Sequence, residues 1–148
     1  MAPLQRQIQK DSPTPDDVSE MIADSRLRVW PALAAWAMDI ICVVLFCAVG
    51  RRSHAEALTV TGIAQTAWPF LAGTSAGWLL ARGWRRPLAL APTGVMVWVC
   101  TVVVGMLLRK LNSQGVQPSF VVVASLTTAT LLLGWRTAAI VANHVKNR

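Results

Sequence analysis

Asp39 is the one acidic residue inside any of the long apolar blocks of this sequence, and Arg136 lies within the last of them. Asp39 follows Trp30 by nine residues and Arg136 precedes Asn143 by seven. On helices rising 1.5 Å per residue, these offsets give depths of about 13 and 10 Å from a common membrane face. A lone carboxylate in hydrocarbon is expensive, so neighbouring first and last helices would bring the two into a charge-assisted pair. Such a pair admits two roles. Asp39 could be a proton or cation site modulated by Arg136, as intramembrane ionisable groups often are. Alternatively the pair is a structural clamp that fixes helix order. The clamp is favoured, because a proton path ordinarily needs several titratable groups and here there is one carboxylate.

A second group of charges lies at the other ends of the apolar blocks: Arg51, Arg52 and His54 after the first, Arg109 and Lys110 after the third. Clustered cations of this kind can hold phosphate head groups, which makes them candidates for anionic-lipid binding, and an unperturbed His54 titrates near neutrality. Simple snorkelling of helix-end cations into water is the favoured alternative. Catalytic chemistry is poorly supplied. Cys42 and Cys47 are five residues apart and diverge on a helix, so they form no CxxC pair. The topology below puts His54 and His144 on opposite membrane sides, which excludes a shared metal, and no GxSxG, HExxH or phosphate-binding glycine loop occurs. The expectation is a non-enzyme with no metal and no cofactor.

These residues need elements to position them, and composition says which. Of 148 residues 54% are hydrophobic and 14% charged, which is too apolar for a soluble domain of this length. The net charge of +7 would raise nucleic-acid binding in a soluble protein, but the basic residues fall between apolar blocks and no nucleic-acid partner is expected. Four blocks, about 30–49, 58–80, 88–108 and 119–141, each approach the roughly 20 residues needed to cross a bilayer as a helix. Short links at 50–57, 81–87 and 109–118 then predict an all-α, up-and-down bundle of four transmembrane helices over 29–148.

Seven basic residues (Arg26, Arg28, Arg82, Arg85, Arg86, Lys146, Arg148) flank one face and four (Arg51, Arg52, Arg109, Lys110) the other. The positive-inside rule therefore places both termini in the cytoplasm of a cell whose inner membrane holds the protein. Trp30, Trp78 and Trp84 are expected at the cytoplasmic boundary with their N–H groups wet. The first 28 residues carry Asp11, Asp16, Asp17, Glu20 and Asp24 and form no secretory signal. They predict a mostly disordered polar tail, in which Thr14, Pro15 and Asp17 could start a short helix with Val18, Met21 and Ile22 along a membrane surface or in water.

Small and polar residues recur at helical spacing: Gly62, Thr66, Pro69, Gly73 and Gly77 in the second block, Gly94, Trp98, Thr101, Gly105 and Arg109 in the third, Ser125, Thr128, Leu132 and Arg136 in the fourth. With Asp39, Cys42, Phe46 and Gly50 on the first, these stripes predict the bundle interior. Gly62, Thr66, Gly73, Gly77, Gly94 and Gly105 are the residues expected to let helices approach. A GWR repeat at 83–85 and 134–136 hints at duplication, for which chance is the better explanation.

The run from Asp39 to His54 with Phe46, Gly50, Arg51 and Arg52 is the first part of a wider set of positions. Trp68-Pro69-Phe70, Gly94, Trp98, Thr101, Gly105, Arg109, Ser119-Phe120 and Gly134-Trp135-Arg136 complete it. As a set they resemble the small four-helix membrane proteins grouped as a domain of unknown function in actinobacteria and some haloarchaea, over about Ala32 to Ala139. The resemblance implies fold and membrane location and carries no catalytic residue or cofactor. The reading that follows is an accessory or structural subunit packed against a larger membrane protein. A small oligomeric transporter or channel using Asp39 is the alternative, and an anionic-lipid-binding protein a further one; the partners are the bilayer and a larger membrane protein or further copies of the chain.

Overall fold

A computed structural model describes residues 14–53 and 58–148, without the side-chain surroundings of 24–28 and 53. The described residues are helical, with no strand: α1 (Pro15–Ser53), α2 (Val60–Leu80), α3 (Val95–Leu111) and α4 (Pro118–Lys146). A 3-10 turn at Gly83–Arg85 and a π-type turn at Leu90–Gly94 lie between α2 and α3. Continuous apolarity explains the choice, since a helix satisfies every backbone donor and acceptor within one segment.

Among the described residues, three stretches are long and apolar enough to cross a membrane: Val29–Arg52, Leu90–Leu111 and Pro118–Lys146. The helix expected as the second span, α2, is not among them. Its 21 residues would reach about 31 Å, so length is not the reason. Gln65, Thr66, Gly73, Thr74, Ser75 and Gly77 dilute its apolarity. Several of these are buried inside the protein rather than turned outward.

The N-terminal expectation also changes. Rather than a mostly disordered tail with a short helix, the chain is helical from Pro15, and α1 has 39 residues with Pro31 inside it. Residues 1–13, expected to be disordered, lie outside the described residues. Thr14 starts the helix as anticipated: its backbone N–H and hydroxyl donate to Asp17 Oδ2 at 2.9 and 2.7 Å, and Asp17 N–H donates back to Thr14 Oγ1 at 3.2 Å. This reciprocal cap satisfies donors that the first turn leaves open. Arg51 and Arg52, expected in the first link, belong to the last turn of α1, where cations complement the helix dipole.

The chain divides into two compact units, Met1–Pro31 and Ala32–Arg148. In the first, Val18, Met21, Ile22 and Trp30 are exposed. In the second, α2 and α3 make the closest backbone approach. A Cβ on Gly73 would stand 2.6 Å from the Cys100 carbonyl oxygen, and one on Gly77 2.6 Å from Val97 Cα. Thr74 and Thr101 hydrogen-bond across this seam at 2.9 Å. Trp98 Nε1 donates to the Ser125 carbonyl of α4 at 3.0 Å, and the Ala32–Ser53 part of α1 is tied in by the side chains described next. The two GWR triplets serve different ends: Trp84 is exposed in a turn, whereas Arg136 is buried on α4.

Candidate functional site

Asp39 and Arg136 meet in the interior, each with 0% of its side chain exposed. Arg136 presents two nitrogens to the two carboxylate oxygens, Nη1 to Oδ1 at 2.7 Å and Nη2 to Oδ2 at 2.6 Å. Two indoles complete the ring of donors: Trp78 Nε1 to Oδ2 and Trp135 Nε1 to Oδ1, both at 2.8 Å. A carboxylate has about four acceptor positions, and four donors fill them. Arg136 is held from its own side as well, donating from Nη1 to the Leu132 carbonyl at 2.8 Å and from Nε to the Pro87 carbonyl at 3.4 Å. Its Cζ lies 4.7 Å from the Trp135 ring centre. The stripe Leu132–Arg136 explains the local geometry, since residues four apart share a helix face. Gly94 leaves the space: a Cβ there would come within 3.1 Å of Arg136 Cδ.

At the far end of α1 lies a cavity of about 610 Å³ that takes lining residues from all four helices and the α3–α4 link. Arg51 and Arg109 line it, together with Gln65, Gln114, Gln117 and Ser119. Arg51 donates from Nη1 to Thr66 Oγ1 at 3.1 Å. Its guanidinium sits where a Cβ on Gly62 would be, 2.7 Å from Cζ. Arg109 Cζ stands 4.8 Å from the Phe120 ring centre and 6.0 Å from that of Phe70. Phe46 packs edge-on against Phe70 at 5.5 Å, so all three phenylalanines of the sequence gather here.

The structure thus brings Asp39 and Arg136 together, and brings Arg51 and Arg109 to one cavity. It does not bring Arg52 or Lys110 there; both are exposed and line no part of it. His54 lies outside the described residues. Gly73 and Gly77 face backbone, whereas Gly62, Gly94 and Gly105 make room for the side chains of Arg51, Arg136 and Phe70. Trp30 and Trp84 are exposed, but Trp78, expected wet at the boundary, is buried with its N–H on Asp39. Reading the sequence missed Trp78 and Trp135 as partners of the acid. The signal available was the demand of a buried carboxylate for more donors than one arginine supplies.

No curated protein and no solved structure matches the chain. A family model described as a protein of unknown function, DUF3054, matches residues 36–139, a stretch that holds Asp39, Trp78, Trp135, Arg136 and both cavity arginines. On that match, covering more than half of its length, the chain belongs to the DUF3054 family.

Proposed function

We propose that the protein is a non-enzymatic accessory or structural subunit of a membrane complex, a four-span bundle in the cell membrane with both termini in the cytoplasm. One observation carries the choice of a structural over a transporting role: the Asp39 carboxylate is fully enclosed, and its acceptor positions are filled by Arg136, Trp78 and Trp135. A proton or cation entering there has to displace a short charge-assisted bond inside a fully buried site. The centre is suited to holding α1, α2 and α4 in one arrangement.

The fourth span in this reading is α2. Its Gly73, Thr74 and Gly77 are turned to the interior against α3, while Val60, Trp68, Leu79 and Leu80 are exposed and suit lipid. The orientation rests on the excess of basic residues on the face holding Arg82, Arg85, Arg86, Lys146 and Arg148.

Affinity purification of the full chain from native membranes tests the role, with a larger membrane protein recovered in fixed ratio as the expected result. The same preparation in liposomes is expected to give no Asp39-dependent ion flux. Flux that Asp39→Asn abolishes while the variant stays folded overturns the structural reading in favour of transport. Cysteine labelling at Ser19 and Asn147 from the cytoplasmic side alone is the expected topology.

A further inference from the structure

We propose that the turn from Arg82 to Pro87, which joins α2 to the apolar stretch beginning at Leu90, is a docking surface for the anionic lipid head groups of the leaflet it borders. The inference goes beyond the structural role proposed above and needs only that the chain sits in a membrane.

The first observation is what the turn displays. Arg82, Trp84, Arg85 and Arg86 are all exposed, and among the described residues none forms an ion pair with the three guanidinium groups. No Asp or Glu occurs in the sequence after Glu56, so the flanking segments add no negative side chain. Three cations within five residues attract an anionic membrane surface.

The second is where the turn lies. Leu79 and Leu80 before it and Leu90 after it are exposed apolar side chains that suit hydrocarbon, which puts the turn at the edge of the lipid-facing surface. Trp84 is 52% exposed there, and an indole settles at head-group depth, its ring in apolar surroundings and its N–H in water. This combination decides between occupants. A soluble acidic partner would meet the arginines alone, whereas a lipid takes them on its phosphate and the indole and leucines on its acyl chains.

The third is that the backbone of the turn is fixed from the interior. Gly83 is buried against the Trp78 ring, which a Cβ at that position would overlap, and Trp78 in turn donates to Asp39. The Arg86 carbonyl accepts from the buried Thr93 hydroxyl at 2.9 Å, and the Pro87 carbonyl from Arg136 Nε at 3.4 Å. Arg82 is held at φ 49°, in the left-handed region that glycine adopts more cheaply at a helix end. Fixing the backbone that carries the cations before lipid arrives lowers the ordering cost of binding.

The test is native mass spectrometry of the full chain after exchange into detergent with equal phosphatidylglycerol and phosphatidylcholine. The expected result is preferential retention of phosphatidylglycerol, falling about fivefold for each of Arg82→Gln, Arg85→Gln and Arg86→Gln, the effect of one cation near a charged bilayer surface. Trp84→Ala is expected to lower retention of both lipids and to leave their ratio unchanged. Arg52→Gln and Lys110→Gln remove the same charge at exposed positions outside the turn and are expected to leave the preference intact. The triple variant Arg82→Lys, Arg85→Lys and Arg86→Lys keeps the charge and is expected to keep most of the preference; its loss there would mean that charge does not carry it, and overturns the proposal. So does an equal loss in Arg52→Gln or Lys110→Gln, or the absence of any preference for phosphatidylglycerol. Loss of the preference in millimolar inorganic phosphate but not in chloride of equal ionic strength would assign the turn to a soluble anion. Recovery of an acidic protein that depends on the three arginines, with lipid retention unchanged by their removal, would assign it to a protein partner; either result overturns the lipid surface.

Discussion

Two arginine–aromatic sites lie at different heights in the bundle, marked on α1 by Asp39 and Arg51, which are twelve residues or about 18 Å apart. In both, a guanidinium lies near an aromatic ring: Arg136 at 4.7 Å from Trp135, Arg109 at 4.8 Å from Phe120. What separates them is burial. Arg136 has its carboxylate from the same chain, carbonyls for its other donors, and no exposed surface. Arg51 and Arg109 are partly exposed and border a cavity whose described lining offers amides and a hydroxyl. The same residue type thus completes a closed centre in one place and lines a cavity in the other. The lesson is that an arginine near a membrane protein's core cannot be assigned a role from its depth; burial and the groups packed around it decide.

The largest expected effect tests the closed centre. Asp39→Asn or Arg136→Gln each leaves a buried charge without its partner, which destabilises by roughly 3–5 kcal/mol. The expected outcome is a sharp loss of folded protein in detergent, read as thermal midpoint and membrane accumulation. The pair Asp39→Asn with Arg136→Gln removes both charges and is expected to recover much of that loss. A double variant no more stable than the worse single one would show that the two residues act independently and that the centre is not a clamp.

This contrast was only half legible in the sequence. Counting residues from the block ends was enough to put Asp39 and Arg136 at matching heights, because the helical rise is constant. The same count gave no hint of Trp78, which lies two residues before the end of α2 and has the position of a boundary indole. Only the approach of α1 to α2 turns its N–H onto the acid, and that is a tertiary fact. Trp135 was closer to reach, being adjacent to Arg136. At the cavity, Arg51 and Arg109 were visible as helix-end cations, but nothing in their spacing distinguished them from Arg52 and Lys110, which point elsewhere. Three helices followed the apolar blocks well. The extent of α1 did not, since its first turns are polar, and α2 falls short as a span on apolarity because the residues that pack it against α3 are the small and polar ones.

Removing one indole donor is expected to have the next largest effect. Trp78→Phe deprives Asp39 Oδ2 of a hydrogen bond in a buried site, a loss of about 1.5–3 kcal/mol for a bond to a charged group. Trp135→Phe should lie lower in that range, because Trp135 is only partly buried and a phenyl ring keeps a face for Arg136. Thermal midpoints of the two variants in the same detergent check the order. Equal and negligible shifts would mean that Arg136 alone satisfies the carboxylate.

At the cavity the expected effect on stability is smaller. Arg109→Gln gives up a cation–π contact of about 1 kcal/mol at a partly exposed position. A midpoint shift well below that of Arg136→Gln is the expected result. A shift as large as that of Arg136→Gln would mean that Arg109 is as deeply engaged in holding the fold, and the distinction between the enclosed centre and the cavity would fail.

The smallest effect belongs to a second carboxylate, one that is well bonded and exposed. Asp17 accepts from the Thr14 hydroxyl and from the Thr14 backbone N–H, and these bonds lower its pKa below the ordinary 3.8. A carboxylate whose folded pKa is depressed contributes its stabilisation above the unfolded value and loses it as pH falls through the folded one. The start of α1 should therefore be unaffected by pH down to about 3.8 and fray only below it. Amide chemical shifts of Thr14 and Asp17 followed on acidification check this, with Thr14→Ala expected to move the fraying to higher pH. Water surrounds this cap and can replace its bonds, so the change should stay confined to the first turn of α1. A cooperative loss of the whole fold over the same pH range would show that the exposed cap is coupled to the interior as strongly as Asp39 is, and burial would no longer account for the difference between the two acids.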